Sequence, residues 1–131
     1  MVATLVVPVS HRWSISRTLW LVVAVAGGVT AVGVMIDNVP WWPVVVFAIA
    51  PDLSFLAGVG QSAARGQLPK RAVPVYNLVH RPLVPILMIA TASVGVVGGL
   101  WLAAGLSWLT HIAADRATGL GLRSKDGWPR V

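Results

Sequence analysis

Residues 18–36 read TLWLVVAVAGGVTAVGVMI, an uncharged run of 19 residues with a charged residue at each end, Arg17 and Asp37. An α-helix needs roughly 20 apolar residues to cross a bilayer, so this run predicts a membrane-spanning helix. A cleaved signal peptide is the alternative for an apolar run near an N-terminus. The apolar core of a signal peptide is usually about 7–15 residues long, and three further apolar segments follow here. Both observations favour a retained membrane helix.

The composition supports a membrane location for the whole chain. Of its 131 residues, 56% are hydrophobic and 11% are charged, and the mean hydropathy is +0.79. A soluble domain carries about 25% charged residues, so this chain has too few to cover its surface with polar groups. We therefore predict one integral membrane domain over residues 1–131.

Cysteine and glutamate are both absent, and the four acidic residues are all Asp. A disulfide framework and thiolate metal ligation are therefore excluded. Any metal site in this chain must use oxygen and nitrogen ligands.

Three more apolar segments complete the predicted fold, which is an all-α polytopic membrane four-helix bundle. Pro51 and Asp52 interrupt the second segment, and glycines at 95, 98 and 99 offer a turn between the third and fourth. The predicted spans are residues 18–36, 41–59, 72–94 and 98–116. Small residues in span one are expected to be helix-packing sites: Ala24, Gly27, Gly28, Ala31 and Gly33.

The basic residues are distributed unevenly among the connections. Nine of the ten lie before span one, between spans two and three, or after span four, and the other two connections contain none. The positive-inside rule therefore predicts cytoplasmic termini in a multi-pass protein of the inner (cytoplasmic) membrane. The net charge of +6 then indicates contact with membrane lipid; no base-reading motif suggests nucleic acid. The nine residues are Arg12, Arg17, Arg65, Lys70, Arg71, Arg116, Arg123, Lys125 and Arg130.

Tryptophans near span ends are expected to be interfacial anchors: Trp13, Trp20, Trp41, Trp42, Trp101 and Trp108. His11 is expected to be a solvated tail residue.

Four ionisable residues lie inside the apolar spans: Asp52, His80, His111 and Asp115. Burying such groups in hydrocarbon is costly unless they pair or bind an ion. The predicted orientation places all four within roughly 12 Å of the cytoplasmic boundary. His111 and Asp115 also share a helix face at positions i and i+4. Each residue alone could be an interhelical hydrogen-bond partner, but their common depth favours a metal or proton site.

Carboxylates and imidazoles are zinc ligands, so we predict that these four residues are both metal ligands and catalytic residues. Polar atoms of Asp52, His80 and His111 should then lie within about 5 Å of one another, with Asp115 on the same side of span four as His111. An open catalytic site should also have a cavity beside the two histidines, between spans two, three and four.

Span three carries the predicted substrate-binding residues, Tyr76, Asn77 and Arg81. Tyr76 and Asn77 share a helix face with His80, and Arg81 either binds substrate oxygens or extends to the lipid headgroups. Prolines interrupt the helices nearby. Pro51, Pro82 and Pro85 should leave the carbonyls of three residues without helical donors, namely Phe47, Leu78 and Arg81. Such carbonyls are tolerated in a membrane where they line a cavity or are bound by another helix.

Three motifs carry a family resemblance: PDLS at 51–54, YNLVH at 76–80 and WLTHIAADR at 108–116, followed by GLGL at 119–122. In this order they resemble the domain of unknown function 4260 family, small bacterial membrane proteins with four spans, over about residues 17–128. The arrangement is more distantly similar to inner-membrane metal-dependent hydrolases, which also combine a Pro-Asp motif with His and a late His-x-x-x-Asp pair. This second resemblance implies a hydrolase.

These patterns favour an uncharacterised membrane protein that holds a divalent metal, zinc being one candidate, and hydrolyses lipid phosphoesters. Four protein ligands could instead close a tetrahedral zinc site, which would be structural, or Asp115 could only orient His111. The alternative function is a non-enzymatic scaffold or small transporter subunit that uses the cluster for helix packing or proton passage. The protein partners, including a second copy of the chain, do not follow from the sequence.

Overall fold

The computed structural model describes residues 13–37 and 39–130, and its described elements are all helices. His11 and Arg12 lie outside the described residues. One isolated bridge pairs Arg123 with Pro129. The elements in chain order are α1 (Ile15–Ile36), α2 (Trp42–Ile49), a 3-10 helix (Ala50–Gly58), α3 (Val73–Val79), α4 (Leu83–Ser93) and α5 (Gly99–Thr118). The prediction of an all-α fold is confirmed.

Proline and a capping serine explain where several helices begin and break. The hydroxyl of Ser14 accepts a hydrogen bond from the Arg17 N–H at the start of α1. The chain tightens from α-helix into 3-10 helix directly after α2, and Pro51 is the second residue of the 3-10 helix. Pro82 separates α3 from α4, because its ring prevents an unbroken helix across this position. The helices therefore form four segments, two of them interrupted.

Two segments are long and apolar enough to cross a membrane, α1 and the interrupted segment Val73–Ser93. The segment Trp42–Gly58 is apolar but shorter. These lengths and compositions are consistent with membrane association.

The described interior is filled mainly by small residues, whereas many large hydrophobic side chains lie on the outside. On α5 the buried positions include Ala103, Ala104, Ala113 and Ala117. On α1, in contrast, Ile15 is 82% exposed and Val29 is 69% exposed. This distribution is the reverse of that in a water-soluble domain, where the large apolar side chains form the core.

Helix α5 is central and contacts α1, α2 and α4. The small residues of α1 pack against it: Ala24 and Ala31 are buried, and Gly27 and Gly28 face Thr110. A Cβ on Gly27 would lie 2.6 Å from Oγ1 of Thr110. Gly33 has no atom near its Cβ position, so the expectation that it is a packing site is wrong. Gly33 does not share the helix face of Ala24, Gly27, Gly28 and Ala31, which follow the spacing i, i+3, i+4 and i+7.

We expect the Gly27→Leu variant to lose about 1–3 kcal/mol of stability, the usual cost of forcing extra carbons into a packed interface. Gly33→Leu makes the same change on an open face and should leave the melting temperature nearly unchanged. Thermal unfolding of both variants in the same detergent measures the difference. Equal melting temperatures would contradict the close packing of α1 on α5.

One end of the molecule gathers the start of α1, the connection 59–72 and the segment 119–130. The Leu68 N–H donates to the Gly127 carbonyl at 2.9 Å, and Lys70 Nζ lies 3.0 Å from Asp126 Oδ1. Gly127 has φ +88°, and a Cβ there would collide with the Leu68 carbonyl, so the close approach requires glycine. At the other end Val39 lies beside Gly99, where two short connections meet.

Candidate metal centre

The four predicted ligands converge on one point between the 3-10 helix, the end of α3 and the C-terminal half of α5. The ligand atoms of Asp52, His80 and His111 all lie within 4.8 Å of one another. Asp115 Oδ2 is 3.3 Å from His80 Nε2 and 3.8 Å from His111 Nε2. The predicted convergence is confirmed, and so is the common face of His111 and Asp115. Their roles as ligands stay a prediction.

The spacing of these atoms fits a tetrahedral ion. Two nitrogen ligands of zinc lie roughly 3.3 Å apart, given Zn–N distances of about 2.0–2.1 Å. The two Nε2 atoms of His80 and His111 are 3.3 Å apart. Asp52 Oδ1 lies 3.5 Å from His111 Nε2 and 4.0 Å from His80 Nε2. Small movements of Asp52 would therefore complete the coordination.

Hydrogen bonds hold both imidazoles in the tautomer that leaves Nε2 free to bind a metal. His80 Nδ1 is 2.9 Å from the Tyr76 carbonyl, and His111 Nδ1 is 2.8 Å from the Ala48 carbonyl. A carbonyl oxygen only accepts, so both Nδ1 atoms carry a proton, and in a neutral ring Nε2 is left with a bare lone pair. Two bare nitrogens facing each other at 3.3 Å repel unless a cation lies between them. That cation is either a metal ion or a proton on one of the rings.

Pro51 makes the Ala48 carbonyl available to His111. In a 3-10 helix the carbonyl of residue i accepts from residue i+3, and the residue three positions after Ala48 is Pro51, which has no N–H. Pro82 stands in the same relation to Val79, whose carbonyl accepts from Trp108 Nε1 at 2.8 Å.

The carbonyls that serve the site therefore differ from those predicted. Phe47, Leu78 and Arg81 were expected from regular α-helical spacing, but the chain tightens at each break. The Leu78 carbonyl keeps a donor, the Arg81 N–H at 3.4 Å, so that prediction is wrong for Leu78. Trp108 was also expected at the interface, yet its indole is half-buried and binds the Val79 carbonyl, one helical turn before His111.

We expect Pro51→Ala to weaken metal affinity by about 10–100-fold, the usual effect of disturbing a group that orients a ligand. The new N–H can donate to the Ala48 carbonyl and compete with His111 Nδ1. Pro74→Ala is the matched control, because Pro74 lies in the first turn of α3, where an N–H has no helical acceptor. Titration of both variants with zinc against a competing chelator measures the difference. Equal affinities would exclude this role for Pro51.

Tyr76 supports the cluster from one side. Its ring stacks on the His80 ring with centroids 3.8 Å apart. Its hydroxyl lies 2.8 Å from the Leu120 carbonyl and 3.3 Å from Asp115 Oδ2. The Tyr76 side chain is almost fully buried, so it acts on the site through His80 and Asp115.

The other two predicted substrate-binding residues have different surroundings. Both polar groups of the Asn77 amide bind the backbone of Arg123, at 2.9 and 2.8 Å. Arg81 is exposed at the break between α3 and α4, next to His80. Arg81 is therefore the one of the three whose side chain is accessible to an anionic ligand.

Arg123 is a residue of this region that sequence reasoning missed. Its side chain is buried beside Tyr76, with the guanidinium carbon 5.6 Å from the ring centroid. Nη1 donates to the Gly66 carbonyl at 3.0 Å. A basic residue in a polar tail gives no signal of burial, and only its place between two glycine-containing turns could have suggested it.

A cavity of about 110 Å³ lies beside the cluster, between α2, the 3-10 helix, α3 and α5. Its walls are apolar and include the neighbours of two predicted ligands, Pro51 and Val79. The remaining lining residues are Phe47, Ala50 and Trp108. Access to the cluster itself is uneven, because the side chain of Asp52 is 46% exposed whereas that of His80 is 3% exposed.

These features define an all-helical protein in which interrupted helices bring two aspartates and two histidines together at a group that could hold a metal ion. The chain belongs to the family described as Domain of unknown function (DUF4260), whose profile matches residues 13–130. Comparison with curated proteins and with solved structures finds no similar protein in either set.

Proposed function

We propose that this protein is a four-span integral protein of the bacterial inner membrane, with both termini in the cytoplasm, and that its Asp/His cluster binds a divalent metal and hydrolyses lipid phosphoesters. The membrane part is supported by the exposed apolar side chains of the helices. It is also supported by the position of the basic residues. The start of α1, the connection 59–72 and the segment 119–130 share one end of the molecule, and they contain seven of the nine described basic residues.

The topology has a direct test. Single cysteines can be introduced without background because the chain has none. Cysteines at Arg65 or Lys125 should be protected from an impermeant maleimide in intact cells, and a cysteine at Asp37 should be labelled. Labelling at Lys125 in intact cells with an intact membrane would contradict the orientation and the depth of the site.

The facing Nε2 atoms of His80 and His111 are the observation on which the metal proposal rests. Their protonated Nδ1 atoms fix both lone pairs toward one point, and two carboxylates border that point. A packing cluster of the same residues would instead need a proton on one Nε2, which would donate to the other Nε2 or to Asp115. A divalent ion bound there would polarise a phosphoryl oxygen and activate a water.

The surroundings of the cluster suit an amphiphilic phosphoester. Asp52 lies on the exposed side, so a substrate phosphate would approach from there. The cavity lined by Phe47, Pro51 and Trp108 would accept part of an apolar chain. Arg81 is exposed next to His80 and would bind phosphate oxygens.

Tyr76 and Asn77 would then position the site rather than contact the substrate. The resemblance to inner-membrane metal-dependent hydrolases points to the same chemistry.

The test is hydrolysis of phospholipids and polyprenyl phosphates by the purified full chain in detergent, followed as inorganic phosphate from phosphomonoesters and as the released alcohol and phosphomonoester from phosphodiesters. We expect turnover with added zinc, manganese or magnesium, loss of turnover with a chelator, and recovery when metal is restored. Turnover without a metal would contradict the role of the ion. The absence of turnover with any substrate while metal is bound would overturn the hydrolase proposal. The second outcome would favour the scaffold or transporter function.

A further inference from the structure

We propose that Arg17 and Arg116, together with Trp20, bind the phosphate of an anionic phospholipid at the crossing of α1 and α5. This second site is separate from the Asp/His cluster. It rests on the proposed membrane location but not on the proposed hydrolysis. The argument starts from where the negative charges of this chain are.

All four acidic residues of the chain lie within the described residues, and none forms an ion pair with either arginine, including Asp115, which directly precedes Arg116. Asp52 and Asp115 face the two histidines, and Asp126 lies 3.0 Å from Lys70. Asp37 follows the other end of α1, about 30 Å from Arg17 along the helix axis. Within residues 13–37 and 39–130, neither arginine has a carboxylate partner.

The two guanidinium groups nevertheless lie in one region, where the start of α1 packs against the end of α5. That of Arg116 lies over the Trp20 ring, with its central carbon 4.6 Å from the ring centroid. That of Arg17, one helical turn before Trp20, occupies the space that a Cβ on Gly119 would need. Gly119 is three residues after Arg116 and has φ +87°, so the end of α5 is shaped to admit the Arg17 side chain. Both arginines are half-buried.

The end of α5 supplies too little negative charge for both groups. A helix C-terminus is equivalent to roughly half an elementary charge, whereas two guanidinium groups carry two full positive charges. An anion with several oxygens would separate the two groups and accept hydrogen bonds from both.

The surface next to this pair favours a lipid as the source of that anion. Ile15, Leu19 and Val23 form an exposed apolar stripe on α1, at positions i, i+4 and i+8, and border a groove that also includes Trp20. In the proposed orientation Arg17 and Arg116 lie at the cytoplasmic headgroup level, with this stripe beside the acyl chains. A phospholipid can contact the two arginines and the apolar stripe at once, whereas a free phosphate can contact only the arginines.

Native mass spectrometry of the full chain in detergent tests this site by titration with phosphatidylglycerol and phosphatidylcholine of the same acyl chains. We expect at least a tenfold preference for phosphatidylglycerol in the wild type. The double variant Arg17→Gln, Arg116→Gln should bind both lipids alike. The control Arg65→Gln, Arg71→Gln removes the same charge from exposed positions of the connection 59–72 and should keep the preference.

Inorganic phosphate, added in excess, should not displace phosphatidylglycerol. The double variant Arg17→Lys, Arg116→Lys keeps both charges and should retain the preference, so that misfolding of the glutamine variant can be recognised. Equal wild-type binding of the two lipids, equal losses in the two double variants, or displacement by phosphate would each overturn the lipid site. The titration is run with a chelator present, so its outcome is independent of metal binding and hydrolysis.

Discussion

We expect the wild-type protein to purify with a divalent metal ion bound, and the His111→Asn variant to purify without it. Asn retains a donor near the position of Nδ1, so it can still bond to the Ala48 carbonyl, but it has no ligand atom where Nε2 faces His80. The affinity for zinc should fall by at least about 100-fold, because loss of a ligand exceeds the 10–100-fold cost of losing a group that orients one. Metal per mole of protein, measured by mass spectrometry after equilibration in a zinc buffer, gives the result.

A cysteine at position 111 distinguishes metal binding from packing. Thiolate is a good zinc ligand but a poor substitute for the hydrogen bonds of imidazole, so His111→Cys should recover part of the zinc affinity that His111→Asn loses. If the cluster is a hydrogen-bonded packing site, His111→Asn should be the more thermally stable of the two variants, because Asn replaces a hydrogen bond of imidazole and Cys does not. Neither variant should then change the metal content. A wild-type protein that binds no divalent ion under these conditions would contradict the metal site and favour a proton between the two rings.

The positions of the helical segments could be predicted because charge and proline mark their ends. Span one was expected at residues 18–36, and α1 is Ile15–Ile36; span four was expected at 98–116, and α5 is Gly99–Thr118. Extra residues at the ends, such as Ser16, Arg17 and Thr118, continue the helix beyond the apolar run, for example from the Ser14 cap. Hydropathy reports where apolar residues are, whereas helix ends depend on capping.

The convergence of Asp52, His80 and His111 could also be predicted, since residues of interrupted helices at one depth have few other partners. The groups that orient them could not. The Ala48 carbonyl becomes available only because the chain tightens into a 3-10 helix at Pro51, a shift of one residue from the α-helical expectation. Sequence spacing alone assumes one helical geometry throughout.

The burial of Arg123 and the use of Asn77 depend on contacts between residues 46 positions apart. The sequence around Arg123 and Asn77 gives no sign of these contacts. The segment 119–130 docks because Gly127 can adopt φ +88° against the Leu68 carbonyl, and only the folded chain shows that this approach is made. Asn77 therefore resembled a substrate-binding residue by position, although its amide bonds to the protein's own backbone.

Asp52→Asn should lower metal-dependent hydrolysis by at least about 100-fold, because it removes a negative charge and a ligand from the open side of the site. The fold should be unaffected, since the Asp52 side chain is 46% exposed and Asp52 Oδ1 lies 3.5 Å and 4.0 Å from the Nε2 atoms of His111 and His80. Asp37→Asn makes the same chemical change after the far end of α1 and should have wild-type activity. Initial rates of phosphate release at saturating metal and lipid measure both variants.

The Asp52→Asn variant and the chelated wild-type protein together separate a catalytic site from a structural one. An open catalytic site can lose its ion and remain folded, whereas a closed tetrahedral site contributes folding energy, so its loss lowers the melting temperature. If Asp52→Asn and the chelated wild-type protein keep their melting temperatures but lose turnover, the ion acts in catalysis. If both unfold more easily and the wild type hydrolyses no lipid phosphoester, the ion holds the 3-10 helix, α3 and α5 together. The exposure of Asp52 and the adjoining apolar cavity favour the first outcome, because a structural site needs neither an accessible ligand nor space beside it.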